Sequence, residues 1–148
     1  MKTTVIINPY AGNGRTEKIW PDIAVALKKS IGTFQTELTT CQGDAVLLTR
    51  KALEGGMTRI VAVGGDGHLN EVLNGFIEND VQFNPLASLS FVMTGTGCDF
   101  QRSLGISAKW QTAVEKLKDA PIRQIDVGKV SYTAADKTKE IRYFDNIA

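Results

Sequence analysis

The stretch Ile60-Val61-Ala62-Val63-Gly64-Gly65-Asp66-Gly67 decides the fold, because it joins a short apolar run to a glycine-rich turn. The apolar residues do not alternate with polar ones, which is typical of a strand buried on both faces of a parallel sheet. The turn is followed by apolar residues at helical spacing, namely Leu69, Val72, Leu73, Phe76 and Ile77. A buried strand, a tight turn and an amphipathic helix in succession predict an α/β unit.

The same succession recurs on both sides of this unit. Further strands are predicted at residues 4–7, 34–39 and 89–93. A first helix is expected to start near residues 18–20, because Pro21 fits only the first turn of a helix. Asp44 is expected to cap a second helix that ends at Gly55-Gly56, and a last helix precedes Pro121. Residues 1–121 are therefore predicted to form an open, parallel, Rossmann-like α/β sheet.

The pattern changes after residue 121. Residues 125–132 alternate between apolar and polar, as in an antiparallel strand with one wet face. Residues 135–138 are expected to form a turn, and residues 141–147 the returning strand. Residues 122–148 are therefore predicted to be the first β-hairpin of a second, β-rich domain.

Composition limits the function classes. The chain has 148 residues and a formal net charge of +1, with 43% hydrophobic and 22% charged residues. These proportions are those of a folded protein, and a charge near zero gives no electrostatic case for binding nucleic acid. No apolar run approaches the roughly 20 residues that cross a bilayer. Cys41 and Cys98 do not form a metal-spaced pair, so a reduced, cytoplasmic setting is expected.

Three glycine clusters each follow directly after a predicted strand. They are Asn8-Pro9-Tyr10-Ala11-Gly12-Asn13-Gly14-Arg15, Gly64-Gly65-Asp66-Gly67-His68-Leu69-Asn70-Glu71 and Thr94-Gly95-Thr96-Gly97-Cys98-Asp99-Phe100. Because ligands bind at the carboxyl edge of a parallel sheet, all three loops are expected to line one crevice. Glycine permits positive φ angles and close backbone approach, so that successive N–H groups can face a phosphate near a helix N-terminus. The alternative is that the clusters are ordinary tight turns.

Asp66 narrows the chemistry. A carboxylate beside bound phosphates is unfavourable unless it holds Mg²⁺ or accepts a proton from an attacking hydroxyl, and both roles belong to phosphoryl transfer. The alternative is a turn-capping aspartate. Asn70 and Glu71, one helical turn further on, could bond back to the loop, or Glu71 could offset the helix dipole. Neither of the common phosphate-binding signatures is present.

These motifs resemble the catalytic domain of the diacylglycerol kinase family, which includes bacterial lipid kinases and sphingosine and ceramide kinases. The resemblance lies in Asn8-Pro9-x-x-Gly12-x-Gly14, in Gly64-Gly65-Asp66-Gly67-x-x-Asn70-Glu71-Val72-x-Asn74-Gly75 and in Gly95-Thr96-Gly97-x-Asp99-Phe100. Gln42-Gly43-Asp44-Ala45 and Phe144-x-Asn146-Ile147-Ala148 add to it. NAD kinases and phosphofructokinases share the Gly-Gly-Asp-Gly turn, so a sheet of their kind is implied.

The resemblance implies ATP-dependent phosphorylation of a lipid hydroxyl, with diacylglycerol or a related lipid alcohol as substrate and with peripheral membrane contact. It places Asp66 at the γ-phosphate and Mg²⁺, as the catalytic residue. The implied ATP contacts are Asn8, Pro9, Tyr10, Ala11, Gly12, Thr39, Gly64, Gly65, Asp66, Gly67, His68, Leu69, Asn70, Glu71 and Thr96. No protein metal cluster is predicted.

Two residues depart from the family pattern. His68 replaces the usual Thr; it could donate to a phosphate or be a partly exposed residue at the start of a helix. Cys98 replaces the usual Asn, and a thiol is a poor hydrogen-bond donor. The change at Cys98 therefore affects the expected loop geometry or the positioning of the acceptor hydroxyl.

Length is the larger departure. Enzymes of the family continue into a mainly β domain that supplies the general base, the acidic residues for a structural metal and much of the lipid cleft. A truncated chain is therefore expected, whose uncovered hairpin favours domain swapping or a homodimer. Two alternatives remain: an NAD-kinase-like phosphotransferase, against which Asn8-Pro9, Asn74-Gly75 and Asp99-Phe100 argue, and a non-catalytic nucleotide-binding module.

Overall fold

The computed structural model describes residues 1–145. Its elements are β1 (Thr3–Ile7), α1 (Arg15–Ile31), β2 (Gln35–Leu38), α2 (Asp44–Glu54), β3 (Arg59–Gly64), α3 (Asp66–Phe76), β4 (Ile77–Glu78), β5 (Val81–Gln82), β6 (Ser88–Met93), α4 (Asp99–Ser103), α5 (Trp110–Lys116), β7 (Gly128–Thr133) and β8 (Lys139–Phe144). Within this part of the chain, no helix combines the length and the apolar character needed to cross a membrane.

Four parallel strands form the central sheet in the order β2-β1-β3-β6. β1 and β3 occupy its centre, where Ile6 pairs in register with Ala62. Every residue of β1 is buried, as are Ile60 to Gly64 of β3, which explains the unbroken apolar run in the sequence. The open parallel α/β sheet predicted from the sequence is confirmed.

Helices cover both faces of the sheet. α2 and α3 pack on one face, against Ile6 and Ala62, while α1 and α5 pack on the other, against Val5 and Val61. α2 and α3 can approach closely because Gly75 has no side chain. A methyl group on Gly75 would overlap the side chain of Thr49. Glycine in the second glycine motif therefore serves helix packing at this position.

The first helix differs from its prediction. α1 begins at Arg15, so that Pro21 lies in its second turn and not in its first. Gly12, Asn13 and Gly14 all have positive φ angles and bring the chain directly into the helix. Pro21 is exposed, so water can bond the helix carbonyl that proline leaves without a donor.

The second helix also begins differently. Its N-cap is Gly43, and Asp44 is the first helical residue. One Asp44 carboxylate oxygen accepts hydrogen bonds from the hydroxyl and the N–H of Thr40, each at 2.7 Å, and from the N–H of Cys41 at 3.0 Å. The Thr40 hydroxyl bond is the main reason that the pKa of Asp44 is held well below its usual range. Asp44 therefore fixes the loop before the helix, not the helix end.

The described chain also contains two antiparallel hairpins, one between α3 and β6 and the other near the C-terminus. β4 and β5 form a short one that the sequence does not predict, since each strand has only two residues. Ile77, which was expected to continue the helix, begins β4 instead. β7 and β8 form the predicted hairpin, but β7 begins at Gly128 rather than at residue 125. The predicted motif residues Asn146, Ile147 and Ala148 lie outside the described residues.

Candidate functional site

The site is set by the divergence of two neighbouring strands. β1 and β3 lie side by side, but β1 leads to α1 on one face of the sheet and β3 leads to α3 on the other. The N–H of Asn8 donates to the carbonyl of Val63 at 2.9 Å, so pairing continues to the very edge. The crevice beyond such a divergence is where open α/β sheets bind ligands.

A cavity of about 410 Å³ occupies this crevice. Seven of the residues predicted from the sequence line it, namely Asn8, Tyr10, Thr39, Gly67, His68, Asn70 and Glu71. Three lining residues were not predicted: Cys41, Gln42 and Arg142. The structure therefore brings the first two glycine loops and the start of α3 around one space.

The first loop has the backbone expected of it. Gly12 and Gly14 have φ angles of +63° and +81°, and the side chain of Asn8 accepts a hydrogen bond from the N–H of Tyr10 at 3.0 Å. A Cβ on Gly12 would lie 2.7 Å from the carbonyl oxygen of Thr94. Glycine is required there both for its conformation and for the close approach of β6.

The second and third loops use glycine for close approach only. None of their glycines has a positive φ angle, so that part of the expectation is wrong. A Cβ on Gly95 would lie 2.6 Å from the Cα of Gly65, and a Cβ on Gly64 would meet the ring of His68. The third loop thus packs against the second, and none of its residues lines the cavity.

Asp66 joins these two loops. It is the first residue of α3, and its Oδ2 accepts a hydrogen bond from the N–H of Cys98 at 2.7 Å. Its Oδ1 is buried and has no hydrogen-bond partner among residues 1–145. A carboxylate oxygen removed from water without a donor or a cation is costly, so this atom is suited to a ligand that the protein itself does not provide.

His68 does not take either of its expected places. Its side chain is buried, and Nε2 lies 2.9 Å from the carbonyl oxygen of Ile6. Because a carbonyl oxygen only accepts, Nε2 carries the proton and Nδ1 is an acceptor in the neutral ring. Burial lowers the pKa of His68, which favours that neutral form. The expected exposure is therefore wrong, and Nε2 donates to Ile6 instead of pointing a free N–H at a phosphate.

Cys98 holds an unusual backbone conformation. Its φ of 55° and ψ of 39° are left-handed, a conformation that Asn adopts more readily than Cys. The N–H still reaches Asp66, and the thiol donates to the carbonyl of Gly95 at 3.3 Å. Burial raises the pKa of the Cys98 thiol, which keeps it protonated and unreactive. The left-handed turn at Cys98 thus forms without the side-chain amide that an Asn would supply.

The expected bonds from Asn70 and Glu71 back to the second loop are not formed. The amide of Asn70 donates to the carbonyl of Tyr143 at 3.0 Å, and Asn74 donates to the same oxygen at 2.9 Å. Asn74 also accepts from the N–H of Tyr143 at 2.9 Å. Glu71 accepts from the N–H of Gly43 at 3.0 Å. The polar residues of α3 therefore hold β8 and the loop before α2.

The remaining predicted residues, Asp66 among them, do not line the cavity. The carbonyls of Pro9 and Ala11 accept hydrogen bonds from the first turn of α1. Leu69 is buried in the core, and its N–H bonds to the carbonyl of Gly65. Thr96 is exposed, so its contact with a nucleotide stays a prediction.

Arg142 and Asp145 come to the site from the far end of the chain. Arg142, on β8, lines the cavity. Burial raises the pKa of Asp145, and the negative charge of Asp66 raises it further. Sequence reasoning missed both residues because nothing local to them indicates that the hairpin returns to α3.

Sequence comparisons match the chain to proteins of one family. The diacylglycerol kinase catalytic domain matches residues 2–130. The chain is 31% identical over 144 residues to a diacylglycerol kinase of Staphylococcus haemolyticus, covering 97% of this chain and 40% of that one. It is 29% identical over 147 residues to that of Staphylococcus saprophyticus, covering 99% of this chain and 44% of that one.

Solved structures give the same result. The crystal structure of a diacylglycerol kinase from Bacillus anthracis superimposes with a TM-score of 0.74 at 25% identity, covering 88% of this chain and 43% of that one. The chain thus spans less than half the length of the relatives it matches. From the matched residues and the fold together, the chain belongs to the diacylglycerol kinase catalytic domain family.

Proposed function

We propose that this chain is the nucleotide-binding part of a lipid kinase that transfers the γ-phosphate of ATP to a lipid hydroxyl. The observation that carries the proposal is the Asp66 carboxylate, which has one oxygen fixed by Cys98 and the other buried without a hydrogen-bond partner among residues 1–145. Asp66 does not line the cavity itself, but it directly precedes Gly67, which does. The membership in a kinase family supports it.

The phosphates are proposed to bind where α3 begins. Gly67 lines the cavity in the first turn of this helix, where N–H groups have no acceptor within the helix. The helix dipole adds roughly half a positive charge at this end, which favours an anion. Asn8 and Tyr10 of the first loop and Thr39 after β2 also line the cavity, and are proposed to hold the rest of the nucleotide.

Mg²⁺ fits the residues present. Mg²⁺ is commonly bound by one or two carboxylates together with water and substrate phosphates, so a single aspartate suffices. Asp66 is proposed to hold it through the unpartnered Oδ1. The described residues contain no group of three or more acidic, His or Cys side chains that could hold a metal, which leaves the substrate to complete the coordination. When bound, the ion neutralises charge on the transferring phosphoryl group.

The lipid acceptor is proposed from the names of the relatives, which are diacylglycerol kinases. Diacylglycerol or a related lipid alcohol would then be phosphorylated at a membrane surface by a peripherally bound, cytoplasmic enzyme. Residues 1–121 are proposed as the nucleotide-binding domain, and residues 122–148 as the start of the β-rich domain.

Nucleotide binding by this chain is the first test. Titration calorimetry with ATP and Mg²⁺ is expected to show binding by the wild-type chain. D66N is expected to weaken ATP binding in the presence of Mg²⁺ but not in its absence, because without the ion the carboxylate only repels the phosphates. D22N, at an exposed position on α1, is the control. Binding that is equal in D66N and the wild type with Mg²⁺ would contradict the assignment of Asp66.

Phosphoryl transfer is the second test. Labelled ATP is supplied with dispersed diacylglycerol or with NAD, to the chain alone and to the chain extended with the C-terminal part of the Staphylococcus haemolyticus relative. Labelled lipid from the extended protein supports the proposal, and D66N should abolish it. Labelled NAD would instead favour the NAD-kinase-like alternative. ATP binding without transfer in either protein would favour a non-catalytic module.

A further inference from the structure

The cavity has a wall that comes from outside the α/β layers. Arg142 lies on β8, where it pairs with Val130 of β7, and it lines the cavity together with Tyr10, His68 and Glu71. Arg142 comes after the last helix of the α/β layers, α5, which ends at Lys116. Its presence in the cavity therefore depends on how the β7–β8 hairpin docks.

The docking is specific at the residue next to Arg142. Both backbone polar groups of Tyr143 are bonded to α3, the N–H by Asn74 and the carbonyl by both Asn70 and Asn74. The Tyr143 hydroxyl donates to Asp80 at 2.8 Å, and Lys129 donates to the same carboxylate at 2.7 Å. Because side chains alternate along a strand, burying Tyr143 directs Arg142 to the opposite face of β8.

Arg142 offsets the negative charge of the carboxylates at the cavity. Among the lining residues that the structure describes, Arg142 carries the one positive charge and Glu71 the one negative charge, since His68 is held neutral. Asp66 adds a second carboxylate nearby. Within residues 1–145, no carboxylate lies within salt-bridge distance of Arg142. Without Arg142, a polyphosphate would meet a cavity whose side chains are net negative.

We propose that Arg142 is a nucleotide-positioning residue, whose guanidinium binds a phosphate of the nucleotide, and that Asn70 and Asn74 set its place through Tyr143. The inference rests on the proposed binding of ATP. The planar guanidinium presents paired N–H donors that match two phosphate oxygens, which makes Arg well suited to this role. The two asparagines thereby contribute to the site through the hairpin and not only by direct contact.

The test compares ligands that differ in phosphate number. Titration calorimetry with adenosine, ADP and ATP is carried out on the wild-type chain, R142Q, R142K and K139Q. Lys139 is the matched control, because it lies on the same strand, is exposed and does not line the cavity. R142Q is expected to weaken ATP binding at least tenfold and to leave adenosine binding within about twofold, because only the phosphates lose a charged partner. R142K should restore part of the loss, and K139Q should behave as wild type.

Each other outcome is decisive. An equal loss for adenosine and ATP in R142Q would overturn the phosphate role, and so would no loss for ATP. An equal loss in K139Q would show a general charge effect and overturn the inference as well. If the wild-type chain does not bind ATP at all, the proposed function fails with it. If the wild-type chain binds ATP and R142Q binds it equally well, the inference about Arg142 fails while the proposed function stands.

Discussion

The central sheet and the β7–β8 hairpin are stabilised in opposite ways. The sheet has helices on both faces, and the side chains of Val5, Ile7 and Ile60 are completely buried. The hairpin exposes apolar side chains instead, since Val130 and Ile141 are 44% and 45% accessible to solvent. Tyr143 is the buried apolar residue by which the hairpin meets the rest of the described chain.

The difference shows that stability and site assembly depend on different forces here. Apolar burial contributes roughly 25 cal/mol per Å² and stabilises the sheet without regard to direction. The hairpin is attached by directed hydrogen bonds, which the Tyr143 carbonyl accepts from Asn70 and Asn74 and the Tyr143 hydroxyl donates to Asp80. Each such bond contributes about 1 kcal/mol to stability, which is less than a fully buried apolar side chain contributes. The bonds nevertheless fix the position of Arg142 beside the cavity.

The largest expected effect comes from removing the same side chain from each region. I60A should lower the free energy of unfolding by about 3 kcal/mol, because it leaves a cavity in the core. I141A should lower it by less than about 0.5 kcal/mol, because that side chain is already half in solvent. Urea denaturation of both variants measures the difference. Equal losses would mean that the hairpin is as tightly packed as the sheet.

A smaller and more local effect is expected from N74A. It removes both bonds that Asn74 makes to the backbone of Tyr143 and should weaken docking by about 1–2 kcal/mol. Hydrogen exchange of the β7 and β8 amides should then quicken roughly tenfold, while the amides of β1 and β3 remain protected. Q111A, at an exposed position on α5, should change neither. Quickened exchange in the sheet would show that the two regions unfold together.

The smallest expected effect concerns the carboxyl group of Asp145, directly after β8. Burial, and then Asp66, raise the pKa of Asp145 above its usual 3.8. The folded state therefore favours the protonated acid, and the stability this gives below pH 3.8 is lost as the pH rises through the folded pKa. D145N should raise the free energy of unfolding at pH 7 by a few tenths of a kcal/mol, since solvent screens a half-exposed group.

Urea denaturation at pH 7 and pH 3 checks this sign. At pH 3 the D145N variant and the wild type should be equally stable, because both side chains are then neutral. D136N is the control of opposite sign, since the Thr138 hydroxyl lowers the pKa of Asp136 and its contribution is lost as the pH falls. A D145N variant that is less stable than wild type at pH 7 would contradict the raised pKa.

Local patterns were sufficient for most of the sheet. The unbroken apolar run at residues 60–63 and the helical spacing after Leu69 predict β3 and α3, because burial on both faces or on one stripe leaves a period in the sequence. The predicted start of α1 is wrong because an exposed proline is tolerated within a helix, and the local sequence does not show whether a residue is exposed. The β4–β5 hairpin was missed because its strands have two residues each.

The site was only partly predictable for a related reason. Asp66 and the first loop could be found because their glycines mark tight turns after strands. The hydrogen bond of His68 to Ile6 and those of Asn70 and Asn74 to Tyr143 join residues more than 60 positions apart. No local pattern encodes such partners.

The sequence by itself determined the alternating α/β order, the parallel sheet and the resemblance to the diacylglycerol kinase family, because periodicity and turn chemistry are local properties of the chain. The tertiary structure alone decided that His68 faces the interior, that the third loop packs behind Asp66 and that Arg142 borders the cavity. These are matters of distance between remote segments, and packing of the whole chain sets them. The proposed nucleotide site thus combines glycine loops that the sequence predicts with the guanidinium of Arg142, which reaches the cavity only because the hairpin docks on α3.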